Sequence, residues 1–163
     1  MISIVYFSEN GNTKSLAEVV ATGARKIENT KVNVFSIDDV DYDCLQKSDA
    51  VIIGSPTHYA NTCWQLKKWI DELSSYNVNL EGKIGGVFVT AQYVQGGADI
   101  AALTLIQHLM VKGMLVYSGG CAMGKPYIHL APVAINGNDE FNASLCDTFG
   151  QRVAQKAFDL FSK

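Results

Sequence analysis

Ser8-Glu9-Asn10-Gly11-Asn12-Thr13 gathers hydroxyls, side-chain amides and a glycine between an apolar run and a helical period. That composition at the start of a helix suits a phosphate. Helix N-termini present backbone N–H groups without partners and carry a partial positive charge. Hydroxyls and amides add neutral donors, and Gly11 lets the backbone approach closely or take a positive φ. The segment lacks the Gly-x-x-x-x-Gly-Lys-Ser/Thr spacing of a triphosphate loop and the Gly-x-Gly-x-x-Gly spacing of a dinucleotide loop. It therefore argues against a nucleoside triphosphate or NAD at this position. Taken alone, the same residues also describe a capped turn.

Two further segments change the weight of the first. Pro56-Thr57-His58-Tyr59-Ala60-Asn61 offers an aromatic face in Tyr59 for stacking, and Thr57 with backbone groups can hydrogen-bond a heterocycle edge. Thr90-Ala91-Gln92-Tyr93-Val94-Gln95-Gly96-Gly97 brings a second aromatic with amides and glycines. Together the three describe a phosphate pocket beside two aromatic-bearing walls, the shape of a site for a phosphorylated planar ring.

The rest of the chemistry-bearing inventory reads as structural. The cysteines Cys44, Cys63, Cys121 and Cys146 form no Cys-x-x-Cys pair and share no metal-ligand spacing with a histidine, so they read as reduced thiols. His58 sits inside the proposed site, whereas His108 and His129 have no carboxylate or cysteine at a useful spacing. Trp64 falls nearly opposite the Leu66/Ile70/Leu73 face of its helix, which suggests a subunit or partner contact. Cys63 beside it reads as a buried, inert thiol, and Lys67-Lys68 as a solvated face. Asn142-Ala143-Ser144 matches a glycosylation sequon by chance.

The elements that must position these segments follow from periodicity. Ile2 to Phe7 reads as a first strand, and Leu16, Val20, Ala24 and Ile27 place a helix over about 13–28. Strand two covers 31–37, and 38–47 is an acidic connection with one helical turn. The continuous apolar run 50–54 suits a central parallel strand covered on both faces. A helix with Leu66, Trp69, Ile70 and Leu73 on one face follows, then a buried strand over 84–90, a helix over 100–111 and a last strand over 114–118. Residues 119–138 read as a long loop. Phe141, Leu145, Phe149, Val153, Ala157 and Phe161 mark a closing helix. Five strands alternating with helices imply an α/β, three-layer, doubly wound parallel sheet in one domain over 1–163. In such sheets ligands bind outside the carboxyl ends of the strands, where the three unusual segments fall.

Composition narrows the function classes. The chain has 163 residues, 48% of them hydrophobic and 18% charged, with a net charge of -3. No basic excess is available to neutralise nucleic-acid phosphates, and the balance is far from that of a disordered acidic chain. No apolar run approaches the ~18 residues of a membrane span, and the N-terminus lacks a signal-peptide pattern. A cytoplasmic location is expected.

The residues above resemble those of a known family. Phe7-Ser8-x-x-Gly11-Asn12-Thr13-x-x-Leu16-Ala17 is similar to the phosphate loop of flavodoxins. Gly54-Ser55-Pro56-Thr57-x-Tyr59-x-Asn61 resembles the flavin-ring loop of WrbA-type NAD(P)H:quinone oxidoreductases. Gly96-Gly97, Gly113-Met114 and Gly124-Lys125-Pro126-Tyr127 echo that group. The resemblance implies a flavodoxin-like sheet of order 2-1-3-4-5 and a non-covalent FMN. It also implies that Ser8, Asn10, Gly11, Asn12 and Thr13 hold the phosphate. Pro56, Thr57, His58, Tyr59 and Ala60 would line the isoalloxazine ring, and Thr90, Ala91, Gln92, Tyr93 and Gly96 would complete the far wall. Asn10 replaces a threonine common in flavodoxin phosphate loops, and Lys112 stands where WrbA-type chains usually have histidine. The chain is also shorter than typical WrbA proteins. The activity implied is electron transfer from NAD(P)H through FMN to a quinone or similar small-molecule acceptor, with no catalytic side chain and no metal, in a homodimer or homotetramer. The alternative is a flavodoxin-type carrier that does not itself oxidise NAD(P)H. A flavodoxin-like module acting through protein contacts is the third reading, against which the well-furnished loops argue.

Overall fold

The computed structural model describes residues 1–136 and 140–162. Its central sheet is parallel. Strand β1 (Ile2–Tyr6) pairs with β2 (Val32–Ser36) on one side and with β3 (Ala50–His58) on the other. β3 pairs with β5 (Ile84–Ala91), and β5 with β6 (Leu115–Val116). The order β2-β1-β3-β5-β6 is the doubly wound order expected from the sequence. The short strand β4 (Asn61–Thr62) lies off this path, antiparallel to the end of β3.

Helices cover both faces, which is why the central strands read as continuous apolar runs. On one side, helices α1 (Asn12–Ala24) and α5 (Glu140–Phe161) bury Leu16, Val20, Phe149 and Val153 against Ile2, Ile4 and Phe88. On the other, α3 (Trp64–Glu72) and α4 (Ala98–Val111) bury Leu66, Ile70, Leu105 and Leu109 against Val5, Ile53 and Val87. The six-residue helix α2 (Tyr42–Lys47) connects β2 to β3. Asp41 caps it by accepting from the Cys44 N–H at 2.9 Å, and those N–H contacts hold its carboxyl below the usual carboxylate range.

Four expectations are corrected. Helix α1 stops at Ala24 rather than near Glu28. Lys26 and Ile27 donate to Gly23 and Ala24 three residues back, so the helical period runs on into a tighter turn. The segment 55–61 is no plain loop: β3 runs on to His58 and folds into a hairpin with β4. The last strand is split. Only Leu115–Val116 pairs within 114–118, and β7 (Val133–Ile135), inside the stretch read as loop, pairs with β5 over Val89–Ala91. In α5, Phe141 and Phe161 are exposed, so its buried stripe is shorter than the period suggested. Of the expected loop 119–138, residues 137–138 lie outside the described residues.

Candidate functional site

The carboxyl ends of β1, β3 and β5 converge on one cleft of about 420 Å³. Ser8, Asn10, Asn12 and Thr13 line it from the β1–α1 connection, Pro56, Thr57 and His58 from β3, and Thr90, Ala91 and Gln92 from the end of β5. A second space of about 490 Å³ shares Thr57, His58, Ala91 and Gln92 and adds Tyr59, Ala60, Tyr93 and Gly96. The structure thus brings together the three segments singled out in the sequence. Gly11 does not itself line either space. It sits at the N-cap of α1 with φ 85°, and no side chain caps that helix.

The end of the cleft at the β1–α1 connection is built from neutral groups apart from Glu9. Thr13 and Thr90, both buried, share a hydrogen bond at 2.9 Å between their hydroxyls, tying the first turn of α1 to the end of β5. Among the described residues lining the first cleft there is no lysine or arginine, and Glu9 is the sole carboxylate. His58 Nε2 lies 3.8 Å from Glu9 Oε2, so one imidazole on β3 reaches the acid on the facing loop. Two polar atoms stand out. Ser8 Oγ and Thr57 Oγ1 are buried with no hydrogen-bond partner, and both residues line the same cleft. A buried hydroxyl in that condition costs about 1–3 kcal/mol.

The aromatic end is carried by strained backbone. Tyr59 and Ala60 form the two-residue tip of the β3–β4 hairpin, with φ values of 47° and 64°. That is a type I′ turn, for which Asn-Gly is the preferred pair. The left-handed region costs ordinary residues roughly 1–2 kcal/mol each. Tyr59 is fully exposed at the tip, and Tyr93 is 59% exposed on the facing loop. Below the tip, Ser55 Oγ bonds Thr62 Oγ1 at 2.7 Å and accepts from the Cys63 N–H at 3.3 Å, which locks the hairpin to the start of α3. Gly97 closes the other side with φ 88°. A Cβ there would lie 2.5 Å from Ala60 Cα, so the two loops touch backbone to backbone only because this residue is glycine.

Sequence reading missed two lining residues. Glu9 lies within the first segment, although only its neighbours were expected in the site. Asn136 follows β7 and lines the first cleft, its N–H donating to the Ala91 carbonyl at 2.9 Å. The remaining cysteines and histidines stay outside. Cys63 is buried, and burial pushes its thiol up. Cys146, on the buried face of α5, is pushed up to about 12 by the same cause. His108 Nδ1 sits 2.6 Å from the Thr104 carbonyl within α4. Trp64 is 68% exposed, as its place opposite the buried face of α3 required. Among the described residues no cluster of three or more His, Cys, Asp or Glu is placed to hold a metal. No helix among them is long and apolar enough to cross a membrane.

Comparison with known proteins gives the lineage. The flavodoxin family profile matches residues 4–97. A flavodoxin of Clostridium saccharobutylicum is 48% identical over 98% of this chain and 99% of its own. An NAD(P)H dehydrogenase (quinone) of Geotalea daltonii is 26% identical over 93% of this chain and 85% of its own. Among solved structures, a WrbA-like flavodoxin from Agrobacterium tumefaciens superposes with a TM-score of 0.80 at 26% identity, covering 97% of each chain.

Proposed function

The chain belongs to the flavodoxin family, and we propose that it binds one FMN in the double cleft and transfers electrons through it, as a flavodoxin-type carrier. The pair of unpartnered hydroxyls, Ser8 Oγ and Thr57 Oγ1, carries this reading. They sit where a phosphorylated, heteroatom-edged ring would satisfy both at once, and the residues present fit that group. In our reading the phosphate lies among Ser8, Asn10, Asn12 and Thr13, with Gly11 turning the backbone toward it. The ring lies between Thr57, His58, Tyr59 and Ala60 on one side and Thr90, Ala91, Gln92, Tyr93 and Gly96 on the other. Bound FMN supplies the electron-accepting and electron-donating chemistry.

The protein's own part is to bind and orient. Backbone N–H groups at the start of α1, with hydroxyls and amides, replace phosphate hydration without a cation. Tyr59 and Tyr93 shield the ring while leaving an edge open for electron exchange. No side-chain acid or base is assigned a chemical step.

A second reading is favoured by the open mouth at Tyr59 and the mild charge of -3, which gives little electrostatic steering toward a protein partner. In it the same site oxidises NAD(P)H and reduces a quinone or similar small molecule, in the cytoplasm, as a single domain over 1–163 forming a homodimer or homotetramer. One experiment separates the two. The FMN-loaded protein is mixed with NADH or NADPH and the yellow absorption followed. Unchanged colour with both nucleotides, and bleaching only by a chemical reductant, supports the carrier. Rapid bleaching by one nucleotide, reversed by a quinone, supports the reductase. Purified protein that retains no FMN at all overturns both.

A further inference from the structure

A further groove, of about 600 Å³, opens on the other side of β1, between α1 and the carboxyl end of β2. It is larger than either cleft described above and shares no lining residue with them. Its walls are acidic. Glu18 comes from α1, and Asp39 and Asp41 come from the connection between β2 and α2. Lys14, one turn before Glu18, is the only base among the described residues lining it. Three carboxylates against one ammonium leave the groove negative. Asp41 is committed in part to the Cys44 N–H. Glu18 meets Arg25 only at 4.0 Å, between two half-exposed side chains. The Asp39 carboxylate has no partner among the described residues.

A second observation sets this groove apart from an ordinary acidic surface. Tyr6 ends β1 and packs into the core with Leu16 and Val20, so that only 8% of it is exposed. It lines the groove, and what remains exposed opens there. A buried phenol normally finds a hydrogen-bond partner, yet this hydroxyl has none among the described residues. Burial, and after it the Glu18 carboxylate, holds its pKa above the usual phenol range. The oxygen therefore stays protonated and accepts as well as donates. A metal ion does not suit these groups. Hard cations need six or more oxygens close around them, and no three acids, histidines or cysteines among the described residues are placed to hold one.

We propose that this groove binds a small organic dication, an alkyl stem with a guanidinium or ammonium at each end. One end meets Tyr6 Oη and Glu18, and the other meets Asp39. A guanidinium suits the first corner, because its planar fork of donors serves a carboxylate and a phenol together. The half-buried Val34 and Val40 supply apolar lining for the stem. Lys14 is exposed, and its long side chain turns to water as the ligand enters. Tyr6 leads straight into the β1–α1 connection, so the site adjoins the first cleft without entering it. This inference does not rest on the flavin reading.

Isothermal titration calorimetry of the full chain with agmatine in low-salt buffer tests it. Agmatine carries a guanidinium and an ammonium on one short alkyl stem. One saturable site is expected, with a dissociation constant below about 1 mM. Tyr6→Phe removes a hydroxyl and no charge, and it weakens binding about tenfold. Asp39→Asn, at an exposed position, weakens it at least as much and keeps the test open if Tyr6→Phe fails to fold. Butylguanidine has the same stem with one charge and also imitates an arginine side chain of a partner protein. It binds at least tenfold more weakly than agmatine. Magnesium chloride at the agmatine concentration displaces nothing. The proposal is overturned by the absence of saturable heat up to about 10 mM agmatine. Binding that the folded variants leave unchanged, attraction to a negative surface only, also overturns it. So does butylguanidine binding as tightly as agmatine, or displacement by equimolar magnesium.

Discussion

Replacing Thr57 with valine should move two measurements in opposite directions. Thr57 closes the β3–β4 hairpin opposite Thr62, and its Oγ1 is buried without a partner. Valine has the same shape and suits a strand, so no cavity opens and the unmet hydroxyl disappears. In the protein without cofactor this removes part of a penalty of about 1–3 kcal/mol. A net gain near 1 kcal/mol would raise the melting temperature by about 2–4 °C in a chain of this size. In the loaded protein one hydrogen bond to the ring edge is lost, a net 0.5–1.5 kcal/mol or so, which weakens FMN binding by about two- to tenfold. Ser8→Ala repeats the test at the phosphate end. There the acceptor is charged, and a loss of about 1.5–3 kcal/mol corresponds to roughly ten- to a hundredfold. Thermal melts of the stripped protein and quenching of FMN fluorescence on titration read the two effects. The reasoning is refuted if Thr57→Val melts lower than the parent when stripped and binds FMN with unchanged affinity.

Two other expectations concern the hairpin tip and the buried thiol. Changing Tyr59-Ala60 to Asn-Gly supplies the pair that a type I′ turn prefers, so the stripped protein should melt higher while FMN binding weakens through loss of the Tyr59 ring; a lower melting point would show that the tip carries no strain. Cys146 has a folded pKa of about 12 against an ordinary 9.0. The unfolded chain therefore ionises first, and stability should fall as pH rises from about 9 toward 12. In Cys146→Ala the slope of the melting temperature over that range should be shallower, and an identical slope would remove the thiol as its cause.

Much of this architecture was legible because both faces of the sheet are covered. Runs such as Ala50–Ile53 and Ile84–Val89 have no polar side to confuse the reading, and the helices between them keep a clean period. The split last strand was not legible. Val133–Ile135 is three residues long, follows Pro132, and is too short to carry an alternation. What fixes it is tertiary. β5 is eight residues long, β6 pairs only with its first two positions, and the far end of β5 takes β7 instead. That one misplacement explains why Asn136 was missed. The rule that ligands gather at strand carboxyl ends points to the residues directly after a strand, and with the last strand placed at 114–118 Asn136 fell at the far end of a long loop with no strand before it. The hairpin tip was hidden for the opposite reason. Tyr-Ala is a poor sequence signal for a type I′ turn, because neither residue favours a positive φ.

The local irregularities share one place, and that bears more strongly on function than any single motif. At the opposite edge of the sheet the short-range chemistry is satisfied: Ser48 Oγ bonds both Ser3 Oγ and the Cys44 carbonyl. At the carboxyl edge, α1 begins without a side-chain cap, two hydroxyls are buried unpaired, and two ordinary residues hold left-handed backbone. Asn33 Nδ2 and Gln65 Oε1 are also unpartnered, but each stands alone and neither lines either cleft. Sequences that specify a fold agree with it locally almost everywhere, and the exceptions gather where a ligand completes the structure. A ligand that supplies the missing partners returns the penalty as binding energy, so the stripped and loaded proteins should differ in stability by the full linkage term RT ln(1 + [L]/Kd). A phosphate bound in the first cleft would meet neutral donors and one carboxylate, with no lysine or arginine among the lining residues. Its affinity should therefore depend on directed hydrogen bonds far more than on the salt-screened attraction of lysines or arginines.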